Sequence, residues 1–324
     1  MNLAGVWLWI IICTNKYGEQ SNDCSPILSH GQWKADTKRE PCKKLLYEKE
    51  SLIMRNEMSK EMFAEEVAML VGGTVKEITK TNGIKHTGII VELEGTSCAP
   101  TVYIDEQYDA GLSISETVDY VKGVVSKTPV LNLDFSWICD FEKVKDKLRV
   151  GLVNEAMNEH IEVSKNALSY GFPDLIMFPY IQVGDSETTK VRNSQLELWG
   201  VKPDDVFNIG LLNMENDVTI DKMNEVLIRM GMPAEIVNQI EIQMKIVRRK
   251  NGGVYGAAAI LTRAVRKMLP EKFVVLPSSV WEVLVLPLGD TTEDAMELYN
   301  MIAKINREQV APEEVLSNKP YYFE

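Results

Sequence analysis

The chain of 324 residues is 45% hydrophobic and 25% charged, which excludes a largely disordered protein and allows one large core or two smaller ones. Its formal net charge of −12 disfavours a dedicated nucleic-acid binder, because contacts to phosphate need a basic face. Five cysteines without a Cys-x-x-Cys spacing indicate neither a disulfide framework nor a zinc site, and they fit a reducing compartment, the cytoplasm, best.

Residues 1–57 show little periodicity, which predicts a poorly ordered extension. The apolar run 3–12 resembles the core of a signal peptide. No Lys or Arg precedes that run, however, no small-x-small cleavage site follows it, and it is too short to span a bilayer as a helix. Three origins stay open for the segment: a native extension, a targeting segment, or a start assigned upstream of Met54 or Met58.

Residues 58–130 are predicted to form an N-terminal module of order α-β-β-β-α. Apolar residues at helical spacing predict a helix over 59–70, and a glycine pair ends it. Two strands then flank Asn82-Gly83, the dipeptide that best accommodates positive φ at both corners of a type I′ turn. A third strand precedes a second helix, which begins with a capping box at Ser113.

Residues 131–239 are predicted to form a mixed middle region. Alternating charges over 140–162 predict helical structure, and a hairpin is predicted around 184–186. Pro203 predicts the first turn of a helix. A further helix is predicted from apolar residues at helical spacing, namely Ile220, Met223, Leu227 and Met230.

Residues 240–324 are predicted to form a C-terminal module of order β-β-α-β-β-α. Alternating apolar and polar residues over 240–246 predict a strand, and the Asn-Gly-Gly sequence at 251–253 predicts a turn into a second strand. The two apolar runs of 273–287, joined by Pro-Ser-Ser at 277–279, predict a second hairpin. An amphipathic helix follows it.

Strands joined by short hairpins, with helices before and after them, predict antiparallel hairpins packed with helices. The fold class is therefore α+β, and no Rossmann-type sheet is expected. The sequence contains no phosphate-binding glycine motif. No cofactor, no metal and no membrane span is predicted.

Seven short motifs follow one another over about residues 58–324. They are Pro100-Thr-Val-Tyr-Ile-Asp105, Asp140-Phe-Glu-Lys-Val-Lys145, Trp199-Gly200, Tyr255-Gly256-Ala257, the Leu276-Pro-Ser-Ser hairpin, Pro312-Glu-Glu-Val-Leu-Ser317 and Tyr321-Tyr322. Together they resemble an uncharacterised bacterial family that is known only as a domain of unknown function. The resemblance implies no substrate, cofactor or catalytic residue. In that family a histidine usually follows the Pro-Ser-Ser-aliphatic turn, where this chain has Trp281, so an activity that depended on this histidine would be absent here.

The second hairpin carries the candidate ligand-binding residues. A serine nucleophile at Ser278 or Ser279 would need an adjacent base and an oxyanion site, and none of the three histidines lies in a recognisable motif. Turn chemistry therefore explains the two serines better. Glu282 is a candidate binding carboxylate, although the solvent face of an edge strand is its expected place. Trp281 and Tyr255 complete the candidate site, lining either a pocket or a packed core, and no catalytic residue is assigned.

Two charged stretches have both a functional and a structural interpretation. Glu155, Glu159 and Glu162 would share one face of a helix near His160, where a solvated acidic face is preferred to a metal site. A basic stretch without acidic residues, 243–270, is a candidate anion-binding patch. Its members are Arg248, Arg249, Lys250, Arg263 and Arg266. The preferred interpretation is that they pair with the acidic C-terminal segment.

These patterns favour a non-catalytic cytoplasmic protein that binds an unknown protein or small molecule. The alternative is a hydrolase-type enzyme that uses Ser278 or Ser279 together with Glu282 at the 273–287 hairpin. Contact between nucleic acid and the basic stretch is a third hypothesis, which the acidic composition disfavours.

Overall fold

The protein is described by a computed structural model. It describes residues 58–94, 99–128, 134–184, 187–239, 243–250, 253–288 and 295–324, so the predicted extension 1–57 lies outside the described residues. The described chain divides into two compact units. The smaller unit comprises the described residues of 58–79 and 85–134, and the larger unit comprises those of 80–84 and 135–324.

The smaller unit packs helices on a three-stranded antiparallel sheet of order β1-β2-β3. Its elements are α1 (Lys60–Val71), β1 (Thr74–Thr79), β2 (Lys85–Ile90), β3 (Thr101–Tyr103), α2 (Asp105–Asp109) and α3 (Ile114–Lys127). The elements follow the order α-β-β-β-α-α, in which α2 is a short helix that the sequence pattern did not predict. Its core contains Phe63, Val67, Ile89, Val102 and Val121, which are all buried.

Local sequence signals place the boundaries of these elements. The Ser59 hydroxyl accepts a hydrogen bond from the amide of Met62 and so caps α1. The predicted capping box of Ser113 and Glu116 opens α3. The predicted turn is also confirmed, because Asn82 and Gly83 both have positive φ, of 60° and 68°.

The larger unit contains the remaining helices and strands. Its α-helices are α4 (Phe141–Val144), α5 (Asn193–Trp199), α6 (Pro203–Met214), α7 (Met223–Arg229), α8 (Ala234–Val237), α9 (Arg263–Arg266) and α10 (Ala295–Gln309). Its strands are β4 (Leu148–Asn154), β5 (Lys165–Asn166), β6 (Leu175–Gln182), β7 (Thr188–Lys190), β8 (Val218–Lys222), β9 (Lys245–Arg249), β10 (Phe273–Pro277), β11 (Glu282–Pro287) and β12 (Tyr321–Phe323). Short 3₁₀ turns occur at Thr81–Gly83, Ser136–Cys139, Lys145–Lys147, Leu168–Tyr170, Gly256–Leu261 and Pro312–Glu314.

Two antiparallel sheets organise this unit. One has the order β12-β10-β11-β9-β8, and in the other β6 pairs with β4 along one edge and with β5 and β7 along the other. One face of the five-stranded sheet packs against the second sheet. Strand β6 of that second sheet is buried along nearly its whole length. The opposite face packs against α7 and α10. Antiparallel sheets covered by helices confirm the α+β class.

Residues 140–162 are mostly not helical, although their alternating charges predict helical structure. Only α4 and the turn Lys145–Lys147 are helical, and β4 follows at once. Leu148, Val150 and Leu152 are fully buried in this strand, whose partner is β6. The short apolar run of β4 lies between charged residues, whose alternation favoured a helix over a strand in the sequence pattern.

Two further predictions in the second half of the chain are wrong. Ile220 belongs to β8, where it pairs with Val247, and the helix begins only at Met223. No strand follows β9 before β10 among the described residues, because 256–261 form a buried 3₁₀ turn instead of the second strand of a hairpin. Strand β9 pairs with β8 and β11, so after residue 243 the described order is β, 3₁₀, α, β, β, α, 3₁₀, β.

Three other predictions for the larger unit are confirmed. Strands β6 and β7 form a hairpin around the predicted turn, whose residues 185–186 lie outside the described chain. Helix α6 begins at Pro203, and β10 pairs with β11 as the predicted second hairpin. Among the helices of the described residues, none has the length and apolar character that crossing a bilayer requires.

Candidate functional site

The Pro-Ser-Ser turn between β10 and β11 is closed to solvent. Ser278 and Ser279 are both completely buried. The Ser279 hydroxyl accepts a hydrogen bond from the Trp281 amide at 3.1 Å, which is turn chemistry. The Ser278 hydroxyl has no hydrogen-bond partner among the described residues. Neither serine therefore has the hydrogen-bonded base that a nucleophile requires.

Glu282 does not lie on the solvent face of an edge strand, so that expectation is wrong. It is only 4% exposed, because β9 and β8 extend the sheet beyond β11. Its Oε1 atom is buried without a hydrogen-bond partner. Burial raises the pKa of this carboxyl group, and Asp221 adds to the rise, while Arg248 acts in the opposite direction.

Tyr255 and Trp281 belong to a tight contact beside this turn. Tyr255 has a left-handed backbone with φ of 55°, and its ring stands edge-on to Phe178 at 4.9 Å between centroids. The next residue, Gly256, lies so close to Trp281 that an added methyl group would overlap the Trp281 carbonyl oxygen. The candidate hairpin residues therefore surround a packed contact between two chain segments.

The two arginines of β9 are committed to ion pairs within the larger unit. Arg248 donates two hydrogen bonds to Asp221, at 2.8 and 3.2 Å. Arg249 is only 3% exposed and pairs with Asp217. The predicted pairing of the basic stretch with the acidic C-terminal segment is therefore wrong for these two, because both carboxylates lie in or just before β8.

The remaining three residues of the predicted patch each make a separate contact. The Lys250 ammonium group donates to the Asn216 carbonyl oxygen at 2.7 Å. The Arg263 backbone amide donates to Glu215. The Arg266 guanidinium lies 4.5 Å from the centroid of the Phe323 ring. These contacts do not bring the five basic residues together around one ligand.

Arg249 is the centre of a buried polar network that joins the two sheets of the larger unit. It donates to the Tyr180 hydroxyl and to Gln182 Oε1, each at 2.7 Å, as well as to Asp217. The burial of Tyr180 raises its pKa to about 12. Burial and the nearby positive charge of Arg249 lower the pKa of Arg149. All N–H groups of the Arg249 guanidinium are thus hydrogen-bonded inside the protein, so this network is structural.

An open cleft of about 760 Å³ lies elsewhere in the larger unit. Its walls come from the turn after β4, the segment before β6, α10 and the segment before β12. Its lining residues are Asn154, Glu155, Ala156, Asn158, Glu159, Ser164, Pro173, Asp174, Ile176, Tyr299, Ser317, Asn318 and Lys319. This volume lies in the usual range for small-molecule sites.

Asp174 holds the C-terminal segment against the floor of the cleft. Its carboxylate accepts hydrogen bonds from the Ser317 hydroxyl at 3.1 Å and from the Tyr321 hydroxyl at 2.9 Å. Lys319 approaches it to 3.4 Å. Burial raises the pKa of Tyr321, whose phenol group donates one of these hydrogen bonds. Asp174 therefore positions one wall of the cleft.

Two buried asparagines fix the opposite wall. Asn158 is fully buried; its amide donates to Asn82 Oδ1 and to the Asn154 carbonyl, and its Oδ1 accepts from the Asn82 backbone amide. Asn82 in turn donates to the carbonyl groups of Pro312 and Val315. The turn that carries Glu155 and Glu159 is thereby held in one conformation.

The acidic residues predicted to share one helical face are separated by this turn. Glu155 and Glu159 are exposed and line the cleft, whereas Glu162 accepts a hydrogen bond from the Asn193 amide. Burial, with a smaller contribution from Lys190, lowers the pKa of His160. Among the described residues, no group of three or more His, Cys, Asp or Glu side chains is arranged to hold a metal ion.

Sequence reasoning missed the residues that complete the cleft, namely Asp174, Tyr299 and Lys319. Two family-like motifs, 312–317 and 321–322, contain or flank part of it, since Ser317 and Tyr321 bind Asp174. That partner lies more than 140 residues away in sequence, so no local spacing pattern indicates it.

The comparisons with known proteins bear on this site only through the family. A family model described as a family of unknown function (DUF5688) matches residues 55–324, well over half of the chain. This match confirms the resemblance that the motifs indicated. No curated protein and no solved structure matches the chain. The chain therefore belongs to the family of unknown function DUF5688.

Proposed function

We propose that this chain is a non-catalytic binding protein of the bacterial cytoplasm, and that the cleft around Glu155 and Glu159 takes a small ligand carrying one or more alkylammonium groups. The observation that carries the proposal is the charge of the cleft. Three carboxylates, those of Glu155, Glu159 and Asp174, line it with one basic side chain, Lys319.

Two of these carboxylates are available to a ligand. Asp174 is already bound to Ser317, Tyr321 and Lys319. Glu155 receives one hydrogen bond, from Asn166 at 3.2 Å, and Glu159 makes no ion pair among the described residues. An incoming cation would therefore meet two exposed acceptors beside a rigid floor.

Tyr299 supports an amine as the ligand. Its ring lines the same cleft and is 38% exposed. An aromatic face attracts an alkylammonium group through its quadrupole, and carboxylates nearby add a direct charge interaction. The apolar atoms of Pro173 and Ile176 would cover the methylene groups of such a ligand.

A binding role agrees better with the geometry than the hydrolase alternative. The two candidate serines are buried outside the cleft lining, and the Ser278 hydroxyl contacts no base among the described residues. Nucleophilic catalysis requires such a base within hydrogen-bond reach. The cleft, by contrast, offers the exposed carboxylates of Glu155 and Glu159 as acceptors for a cation.

Calorimetric titration with spermidine and putrescine at low salt tests the proposal. We expect saturable binding that weakens as salt is added, because the carboxylates are exposed and screened. The double variant Glu155→Gln/Glu159→Gln should lose about 0.4–2 kcal/mol, which is about a 2- to 30-fold weaker Kd. Tyr299→Ala should also weaken binding, while Tyr299→Phe should retain it.

Glu197→Gln is the matched control, because Glu197 is exposed on α5 and does not line the cleft. It should bind spermidine as the unchanged protein does. Succinate, a dianion of similar size to putrescine, should not bind. Failure of either amine to bind the unchanged protein, or equal affinity for the double variant, would contradict the proposal.

A further inference from the structure

Glu282 is part of a polar row across the five-stranded sheet. The register pairs Thr219 with Arg248 and Arg248 with Glu282, and side chains at directly opposed positions lie on the same face of a sheet. In the next row of that face, Ile246 pairs with Leu284 on one side and with Asp221 on the other, and the two apolar residues belong to the core beneath α10. Glu282 thus stands at the end of an apolar face, with an arginine beside it.

Arg248 does not bind Glu282, although the two residues are neighbours across the strands. It gives its Nε and Nη2 hydrogen bonds to one oxygen of Asp221. Asp221 also receives Arg229 of α7 at 3.4 Å. The carboxyl group of Glu282 makes no hydrogen bond or ion pair among the described residues, and its Oε1 is buried.

Two carboxylates therefore compete for one guanidinium. A buried carboxylate that carried a full charge without a partner would be costly, because desolvation disfavours the ionised form. A buried carboxylic acid that keeps its proton avoids most of that cost. The charged groups that act on Glu282 are Arg248 on β9 and Asp221 on β8.

We propose that Glu282 is a proton-binding site that controls an exchange of ion pairs, in which loss of its proton draws Arg248 from Asp221 to Glu282. The buried carboxyl group keeps its proton over a pH range in which exposed glutamates have lost theirs. Asp221 keeps Arg229 when this exchange occurs, so no carboxylate is left alone. The exchange makes the stability of the β10–β11 turn depend on pH.

The direction of the pH effect follows from burial. Because burial raises the pKa of Glu282 in the folded state, the folded protein binds more protons than the unfolded chain between the ordinary and the raised pKa. Stability should therefore fall as pH rises through that window and stay level above it. The stabilising contribution of the protonated Glu282 carboxyl group is fully present below the ordinary glutamate pKa.

Thermal unfolding across about pH 4 to pH 8 tests this proposal. Glu282→Gln, which resembles the protonated acid, should gain Tm relative to the unchanged protein as pH rises through the window. Asp221→Asn frees Arg248 to pair with Glu282, so the gain produced by Glu282→Gln in that background should shrink and move to lower pH. The control Glu197→Gln should follow the unchanged protein at every pH.

A second measurement does not depend on any variant. Titration of the glutamate carboxyl carbons by NMR in the unchanged protein should show one resonance whose midpoint lies above those of the exposed glutamates. Tm curves of Glu282→Gln and the unchanged protein that run parallel over the whole range would overturn the proposal. So would carboxyl resonances that all titrate in the ordinary range.

Discussion

Replacing Arg249 by Met removes the centre of the polar network between the two sheets. The Arg249 side chain is 3% exposed and that of Asp217 is 26% exposed, so water reaches only part of the groups that the substitution leaves behind. Asp217 would lose its shorter ion pair and keep Arg149 at 3.7 Å. The Tyr180 hydroxyl and Gln182 would each lose a donor at 2.7 Å. Removing one partner of a fully buried ion pair costs about 3–5 kcal/mol. Because Asp217 is partly exposed and keeps Arg149, we expect a smaller loss of about 2–3 kcal/mol for Arg249→Met.

Arg248 and Arg263 provide graded comparisons for this change. The Arg248 side chain is 25% exposed, and its partner Asp221 keeps Arg229, so Arg248→Met should cost about 1 kcal/mol after solvent screening. Arg263→Ala removes an exposed side chain and should change stability by less than about 0.5 kcal/mol.

Urea denaturation followed by tryptophan fluorescence measures these differences as shifts of the midpoint at constant slope. The double variant Arg249→Met/Asp217→Leu should recover part of the loss, because no carboxylate remains without Arg249, while Arg149 loses its more distant partner. An Arg249→Met protein as stable as the Arg263→Ala protein would refute the structural role of this network.

Two pairs of neighbouring or matched substitutions test the packing of the Pro-Ser-Ser turn. Gly256→Ala should destabilise the protein by about 1–3 kcal/mol, because the added methyl group meets the Trp281 carbonyl. Gly123 lies in open space on α3, so Gly123→Ala should stabilise the protein by about 0.5–1 kcal/mol. Equal effects of the two variants in urea denaturation would contradict this packing. Ser278→Ala removes a buried hydroxyl without a partner and should be neutral or stabilising, whereas Ser279→Ala removes a turn hydrogen bond and should cost about 1 kcal/mol. A larger Tm loss for Ser278→Ala than for Ser279→Ala would be the contrary result.

The sequence predicts best where a structural signal is local. The capping box at Ser113, the type I′ turn at Asn82-Gly83 and the start of α6 at Pro203 each depend on residues within a few positions of one another. The β10–β11 hairpin also follows from adjacent apolar runs. Such signals act through backbone geometry and short-range hydrogen bonds, which the rest of the fold leaves unchanged.

Predictions fail where distant partners decide the outcome. Glu282 looks like an edge-strand residue until β9 and β8 extend the sheet beside it, and Ile220 fits a helical stripe until it pairs with Val247. Arg249 looks like part of a surface patch, but its partners Tyr180 and Gln182 are 69 and 67 residues away. Charge in the sequence does not show which charges a sheet will bury.

The cleft is the extreme case of this dependence on distant contacts. Its floor is Asp174, which is held by residues near the C-terminus, and its turn is held by Asn82 through Asn158. Helical spacing predicts one shared face for Glu155, Glu159 and Glu162, but a turn places only the first two at the cleft. Their role as candidate ligand contacts became visible only with these long-range hydrogen bonds.

The most direct test of a ligand site in this cleft is NMR mapping with spermidine. Asn154 and Asn318 line the cleft and are partly exposed, and their side-chain amides report binding by chemical-shift changes. The account predicts saturable shifts at these two amides and none at Asn193 or Asn224, which lie outside the cleft lining. Saturable shifts confined to other parts of the chain, or no shifts at all, would contradict it.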